Sequence, residues 1–323
     1  MRNFSIFSYL TFCMATALLL SGCSSDDDSV QESKTPLLPL TIEVTENPYV
    51  NTDEAGSRMK RAPIITTSSL TAFQINYVYG GLSSSEDINV TADGAHHWTT
   101  DDGWPVGGNT IVNWYAKSSG DFSNENDPYI DFTMEEDATK QKDLLVATAS
   151  GSYAGTGGTL FFAFDHVCTA LRFYVKKSTN LDAYTLTVSN ITLCNVKKTG
   201  EYHYNTSSWS SVGTNANFSL YTGSAKTLGS STYEALDTSD SPYLFLIPQT
   251  LTAWDGMCSI SSNGGSYLSI ICTLTRISDS QQVFNGTAYI PFAATLIAGY
   301  QHDVRINIGK NSLYSDPNTK IIN

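Results

Sequence analysis

Short runs in which apolar and polar residues alternate are the feature that most constrains how this chain can fold. One run places every second residue from Phe73 to Tyr79 on a single face and ends at Gly80-Gly81. A repeat of two residues is typical of strands with one buried face, and no stretch of convincing length has the period of a helix. Many such runs, separated by turn residues, predict an all-β protein made of antiparallel β-sandwiches.

Length and charge narrow the choice further. At roughly 100–200 residues per domain, the 323 residues predict two domains. The polar stretch 206–240 is the best candidate for their connection. The 18 basic and 31 acidic residues give a net charge of -13, which repels a phosphate backbone at long range. Nucleic acid is therefore not an expected partner.

The first residues are predicted to be a signal peptide. Arg2 is followed by an uncharged, apolar stretch that is too short for a transmembrane helix and ends at Leu20-Ser21-Gly22-Cys23. This ending resembles the lipobox of bacterial lipoproteins, in which the cysteine is acylated. We therefore expect removal of residues 1–22, acylation of Cys23 and attachment to outer-membrane lipid. The alternative is an ordinary signal peptide that happens to contain a cysteine.

Residues 24–61 form a separate segment with one predicted strand. Four apolar residues at its centre alternate with polar ones: Leu38, Leu40, Ile42 and Val44. One apolar face implies one groove to fill, and Pro39, which lacks an N–H, favours a strand at the edge of a sheet. The alternative is that this is the permanent first strand of a domain.

A basic cluster closes this segment. Arg58, Lys60 and Arg61 follow a polar loop and precede Ala62-Pro63. Exposed polar loops are preferred sites of proteolysis, so the cluster predicts a cleavage site.

The cysteines do not indicate a metal site. Four remain after the signal peptide and Cys23: Cys168, Cys194, Cys258 and Cys272. They show no C-x-x-C spacing, so buried free thiols are expected. A disulfide between Cys258 and Cys272 is the alternative, because a turn sequence lies between them.

The histidines and acidic residues do not form a catalytic set. None of the five histidines has a partner at the spacing that metal ligands use. His96-His97 with Asp101 and Asp102 could line a site, but a plain exposed loop is the simpler interpretation. We therefore expect no enzyme activity, no metal and no cofactor.

Several motifs follow one another in a recognisable order. They are Arg61-Ala62-Pro63, Trp104-Pro105, the strand 112–116, Asp143-Leu144-Leu145-Val146-Ala147, the element 160–166 that ends in His166, and Leu246-Ile247-Pro248-Gln249. In this order the sequence resembles the fimbrillin family, the subunits of Bacteroidetes type V pili, over about residues 20–308.

The resemblance implies a fold and a route of assembly. Family members look like two tandem transthyretin-like sandwiches, here residues 62–208 and 209–323, after a tether and propeptide at 23–61. An arginine-specific protease would cut after Arg61, so that Ala62 begins the mature chain and the first strand leaves. A strand from another fimbrial subunit would then fill the groove at the cell surface. A host or bacterial surface ligand is a further expected partner.

The position in the pilus stays open. A stalk subunit needs a C-terminal donor strand, and here the run 300–308 is followed by a polar tail. Either that run is the donor, or the chain accepts a strand without donating one, at the tip or in an accessory position. An uncut pilus anchor is an alternative role. A surface glycan-binding lipoprotein is another, with four tryptophans as stacking platforms: Trp98, Trp104, Trp209 and Trp254.

Overall fold

The computed structural model describes residues 38–52, 58–59, 70–84, 86–93, 97–122, 128–236, 243–255, 264–310, 312–315 and 319–320. Nearly all of its regular structure is strand, so the all-β prediction is confirmed. The strands are β1 (Thr41–Glu46), β2 (Val50–Thr52), β3 (Arg58–Met59), β4 (Ala72–Tyr79), β5 (Leu82–Ser83), β6 (Ile88–Ala92), β7 (Trp98–Thr99), β8 (Val112–Lys117), β9 (Asp121–Phe122), β10 (Tyr129–Thr133), β11 (Leu145–Gly151), β12 (Thr159–His166), β13 (Thr169–Lys177), β14 (Tyr184–His203), β15 (Ser208–Leu228), β16 (Glu234–Ala235), β17 (Leu244–Leu246), β18 (Thr250–Leu251), β19 (Tyr267–Arg276), β20 (Gln282–Pro291), β21 (Ala294–Thr295), β22 (Tyr300–Ile308), β23 (Tyr314–Ser315) and β24 (Thr319–Lys320).

The helical elements of the described residues are short. One α-helix, α1 (Tyr153–Thr156), precedes β12, and a 3-10 turn at Thr179–Leu181 precedes β14. Within the described ranges, no helix has the length and apolar character needed to cross a membrane.

The first hydrophobic core is surrounded by one sheet. Its strands lie in the order β5-β4-β6-β7-β1-β12-β11-β8, and β8 also pairs with β4. Hydrogen bonding therefore continues around the core, and β1 closes the gap between β7 and β12. Aromatic side chains fill the interior, among them Trp104, Trp114, Phe162 and Phe164, each at most 2% exposed.

The second hydrophobic core lies between two sheets. One has the order β24-β23-β20-β19-β14-β10-β9, with β15 paired to β14. The other has the order β16-β13-β22-β2-β3, with β17 paired to β13. Residues of both sheets share one buried cluster that includes Phe173, Val188, Ile270 and Ile306. This layered arrangement is that of a β-sandwich.

Most of the described strand pairs are antiparallel, as expected for antiparallel sandwiches, and three of them are parallel. β1 runs parallel to β12, and β22 runs parallel to both β13 and β2. In each pair a long stretch of chain separates the two strands. Parallel pairing requires such a separation, because a tight hairpin can join only antiparallel strands.

The stretch 206–240, predicted as a connection, consists mainly of strand. β15 occupies residues 208–228 and pairs antiparallel with β14. Ala216, Phe218 and Leu220 are buried, while the polar residues around them hide this alternation in the sequence. The division into domains at residue 208 stays a prediction, for which the two cores are the relevant observation.

The run 300–308 is an internal strand. β22 lies between β13 and β2, and Ile306 and Ile308 are buried in the second core. It is therefore part of the protein's own sandwich in this structure.

Candidate functional site

Residues 38–52, here called the leading segment, carry the four residues predicted to fill a groove. Ile42 is 5% exposed, and Leu38, Leu40 and Val44 are half-buried against the first core. The residues between them in β1 are exposed. The leading segment thus presents one apolar face to the first core, and its removal during maturation stays a prediction.

β1 is hydrogen-bonded along one side and touches a second strand on the other. All six of its residues pair with residues 159–164 of β12, whereas β7 pairs with it only through Ile42 and Trp98. The prediction of an edge strand is therefore wrong. Pro39 lies before β1 at an exposed position, so its missing N–H does not interrupt the ladder.

The entry to β1 is held at Gly158. Its carbonyl oxygen accepts the N–H of Thr41 at 2.9 Å and the indole N–H of Trp104 at 3.1 Å. Gly158 has a φ of +84°, and a Cβ built there would lie 2.9 Å from the carbonyl oxygen of Pro39. A side chain at this position would therefore both strain the backbone and press on the leading segment.

A buried ionic cluster lies at the end of β1. Glu46 Oε1 is 3.1 Å from His166 Nε2, and Asp143 Oδ2 is 2.5 Å from His166 Nδ1. The Tyr49 hydroxyl donates to the same Asp143 oxygen at 2.7 Å, and its ring stacks on His166 with centroids 4.0 Å apart. The side chains of Glu46, Asp143 and His166 are at most 3% exposed. These four residues are called the buried cluster below.

The buried cluster favours a protonated imidazole. Burial alone would lower the pKa of His166, but hydrogen bonds to Asp143 and Glu46 and the charges of these carboxylates raise it to about 9. Burial and the Asp143 carboxylate raise the pKa of Tyr49 well above its usual value, so its hydroxyl keeps its proton. His166 is thus a cation between two carboxylates at neutral pH, and it links the leading segment to the rest of the protein.

Beyond the buried cluster, the leading segment joins the sandwich that encloses the second core. The N–H of Asn47 donates to the Phe164 carbonyl at 2.8 Å, and the N–H of Val50 donates to the Gly299 carbonyl at 2.9 Å. β2 then pairs in parallel with the start of β22, and Tyr49 belongs to the second core. One segment therefore closes the first core and extends a sheet of the second.

The predicted acylation and cleavage residues, Cys23, Arg61 and Ala62, lie outside the described residues. The last described part before the predicted cut is β3, which pairs antiparallel with β2. The roles of these three residues stay predictions.

The other sequence candidates do not come together as a site. Asp101 and Asp102 line a shallow cleft of about 290 Å³ with other acidic residues. His97 instead pairs with Asp93 at 3.1 Å on an exposed loop, and His96 is outside the described residues. In the part of the chain that the structure describes, no group of three His, Cys, Asp or Glu could hold a metal ion.

The tryptophan side chains mostly pack in or against the cores, and this weakens the glycan-binding alternative. Trp104 and Trp254 are 2% and 1% exposed, so they are not the exposed stacking platforms that the glycan-binding alternative requires. Trp98 packs on Phe73 with ring centroids 5.0 Å apart. The indole N–H of Trp209 donates to the Val167 carbonyl at 2.7 Å.

The expectation of buried free thiols is confirmed for Cys168, Cys194 and Cys272. Burial raises the pKa of all three thiols, to about 11 for Cys194 and about 12 for Cys272. These thiols are therefore protonated and poorly reactive at neutral pH. Cys258 lies outside the described residues.

Sequence reasoning missed the buried cluster, although His166 ends one of the motifs that carry the family resemblance. Glu46 continues the inward-facing series that starts at Leu38, and a charged residue at an inward position was the available signal. Tyr49 and Asp143 gave no such signal, because their contacts depend on the tertiary fold.

Solved structures and a family model are similar to this chain. A solved fimbrial protein from Bacteroides vulgatus ATCC 8482 is similar with a TM-score of 0.52 at 16% identity, over 82% of this chain and 94% of that chain. The fimbrial anchor protein Mfa2 from Porphyromonas gingivalis matches with a TM-score of 0.35 at 12% identity, over 82% of this chain and 90% of that chain. The comparison with curated proteins finds no match. A family model described as fimbrillin-like matches residues 82–321, which is more than half of the sequence, so the chain belongs to the fimbrillin-like family.

Proposed function

We propose that this protein is a structural or adhesive subunit of a type V fimbria at the cell surface. Membership of the fimbrillin-like family supports a fimbrial and non-enzymatic role. The observation that carries the proposal is the leading segment, because one short piece of chain closes the first core and extends a sheet of the second. Its removal would open an acceptor groove along both.

In this proposal the chain is exported as a lipoprotein acylated on Cys23, and cleavage after Arg61 detaches residues 23–61. Detachment would leave β12 and β22 with unpaired edges, next to the apolar surface that Ile42 covers. Unpaired edges beside apolar surface readily pair with an extended segment. A strand of another subunit would then take the place of the leading segment.

We propose further that the subunit accepts a strand without donating one, which suits a tip or accessory position. β22 is already part of the sandwich around the second core, where its Ile306 and Ile308 are buried. After β22, Leu313 is buried, and the Tyr314 ring lies 5.7 Å from that of Trp254. The described residues of the tail are therefore packed on the protein itself.

An uncut pilus anchor is the second candidate, and the buried cluster favours it. Glu46 and Tyr49 would leave with the detached segment, and His166 would lose one of its two carboxylates. Removing one partner of a buried ion pair costs about 3–5 kcal/mol. This cost would oppose detachment unless an incoming strand replaces the contact.

The test is mass spectrometry of the protein recovered from the cell surface. A mature N-terminus at Ala62 supports the cleaved subunit, and a surface form that retains acylated Cys23 and residues 24–61 supports the anchor. A surface form that starts elsewhere contradicts both. Arg58→Ala is the matched control for Arg61→Ala, because it removes a neighbouring basic residue without touching the proposed bond.

A further inference from the structure

The geometry of the groove restricts which strands can fill it. On the basis of the proposed function, we infer that a donor strand runs parallel to β12 and β22, as the leading segment does, and carries a carboxylate at the position of Glu46, opposite His166. The groove would thus select its partner by one buried charge as well as by an apolar stripe.

The direction of the donor follows from the main-chain pairing. β1 is parallel to β12 over six residues, and β2 is parallel to β22 from Val50 onward. Both acceptor edges therefore point the same way along one continuous path. A segment that follows the direction of the leading segment reproduces both sets of parallel main-chain bonds, whereas a reversed segment would have to form antiparallel bonds with both edges.

The requirement for a carboxylate follows from the surroundings of His166. The groups that face its ring are Glu46 from β1, Tyr49 after β1 and Asp143 before β11. The His166 side chain is 1% exposed, so without Glu46 its Nε2–H would face the groove unpaired. A lysine at this position would be repelled, and an aliphatic side chain would leave the N–H without an acceptor. A neutral amide could accept the bond but without the charge assistance of a carboxylate.

Tyr49 adds an aromatic requirement three residues after the acid. Its ring stacks on His166, and its hydroxyl donates to Asp143. The resulting signature has apolar residues four and two positions before the acid and an aromatic residue three positions after it. Within these 323 residues only Ile42, Val44, Glu46 and Tyr49 fit this signature. No other segment of these 323 residues is therefore the inferred donor.

Peptide exchange tests the inference on the full chain, cleaved after Arg61 and kept together with its detached segment. Fluorescent peptides of residues 38–52 are added in natural form and with Glu46→Gln or Glu43→Gln, and fluorescence anisotropy measures binding. Glu43 is exposed on the opposite face of β1, so its substitution makes the same charge change away from His166. A peptide with the natural residues in reverse order tests direction.

The natural and Glu43→Gln peptides should bind equally, and the Glu46→Gln peptide should bind about tenfold more weakly, because a charge-assisted bond becomes a neutral one. In a His166→Gln protein this difference should shrink to about twofold. If that protein does not fold, the peptide series on the unsubstituted protein still decides.

Equal binding of the natural and Glu46→Gln peptides overturns the inferred carboxylate. The same holds if the Glu43→Gln peptide loses as much affinity as the Glu46→Gln peptide. Equal binding of the reversed peptide overturns the inferred direction. In these three cases strand exchange itself stands. Failure of every peptide to bind, together with a cleaved protein that stays monomeric, contradicts the proposed function instead.

Discussion

Replacing Ile42 with alanine tests how firmly the leading segment is held in the uncut protein. Ile42 is 5% exposed and pairs with Trp98 beside the first core. The substitution loses roughly 0.8 kcal/mol of hydrophobic stabilisation for each buried carbon that is removed, and the cavity left behind adds to the loss. We expect the free energy of unfolding to fall by about 2–4 kcal/mol and the melting temperature by about 3–6 °C.

The assay is urea unfolding of the uncut protein followed by tryptophan fluorescence, since Trp98 and Trp104 lie beside the leading segment. Thr45→Ala is the matched control, because Thr45 is exposed on the other face of β1. It should cost less than about 1 kcal/mol. An Ile42→Ala loss no larger than that of the control would refute the view that β1 is docked by burial.

The remaining predictions concern the buried cluster, the entry to β1 and maturation. Because the pKa of His166 is raised from 6.5 to about 9 in the folded protein, its stabilising effect should be full below pH 6.5 and be lost as the pH rises through 9. Urea unfolding from pH 6 to 10 should show this fall in the free energy of unfolding, and His166→Gln should abolish it. If the free energy of unfolding depends on pH in the same way in the variant, other groups are responsible. Gly158→Ala should destabilise the protein by about 1–3 kcal/mol. Gly157→Ala is the control and should destabilise it less, because Gly157 also has a positive φ, +64°, but nothing lies within 4 Å of an added Cβ. Equal losses of stability in thermal melts would mean that contact with the leading segment is unimportant. Cys23→Ala should abolish fatty-acid labelling and membrane association, and persistent labelling would place the acyl chain elsewhere. Arg61→Ala should leave residues 24–61 on the surface form, as judged by immunoblot, and normal processing would move the cut to another bond.

The alternating pattern could be predicted from the sequence because it depends on local geometry. In a strand every second side chain points to the same face. The apolar face formed by Leu38, Leu40, Ile42 and Val44 was therefore recognisable without knowledge of the residues packed against it. The same logic fails for β15, whose inward residues Ala216, Phe218 and Leu220 lie among serines and asparagines. Composition there resembles a loop although the pairing is that of a long strand.

Contacts between distant parts of the chain could not be predicted. Glu46 and His166 are 120 residues apart, and no alternation or spacing connects them. The direction of β1 was hidden for the same reason, because β12 becomes its neighbour only through the tertiary fold. The acylation and cleavage residues were predicted from local motifs and from resemblance, and they lie outside the described residues.

The pairing of the leading segment also sets an order of folding events. Val50 pairs with Tyr300, roughly 250 residues later in the chain. Closing loops of this length is entropically costly and slow, so contacts of such high sequence separation form late. The first described strand to leave the ribosome is therefore among the last to dock, and both acceptor edges stay open until it does. During that interval any extended segment nearby can compete for them, so late docking of the leading segment leaves the newly made protein open to premature association and aggregation.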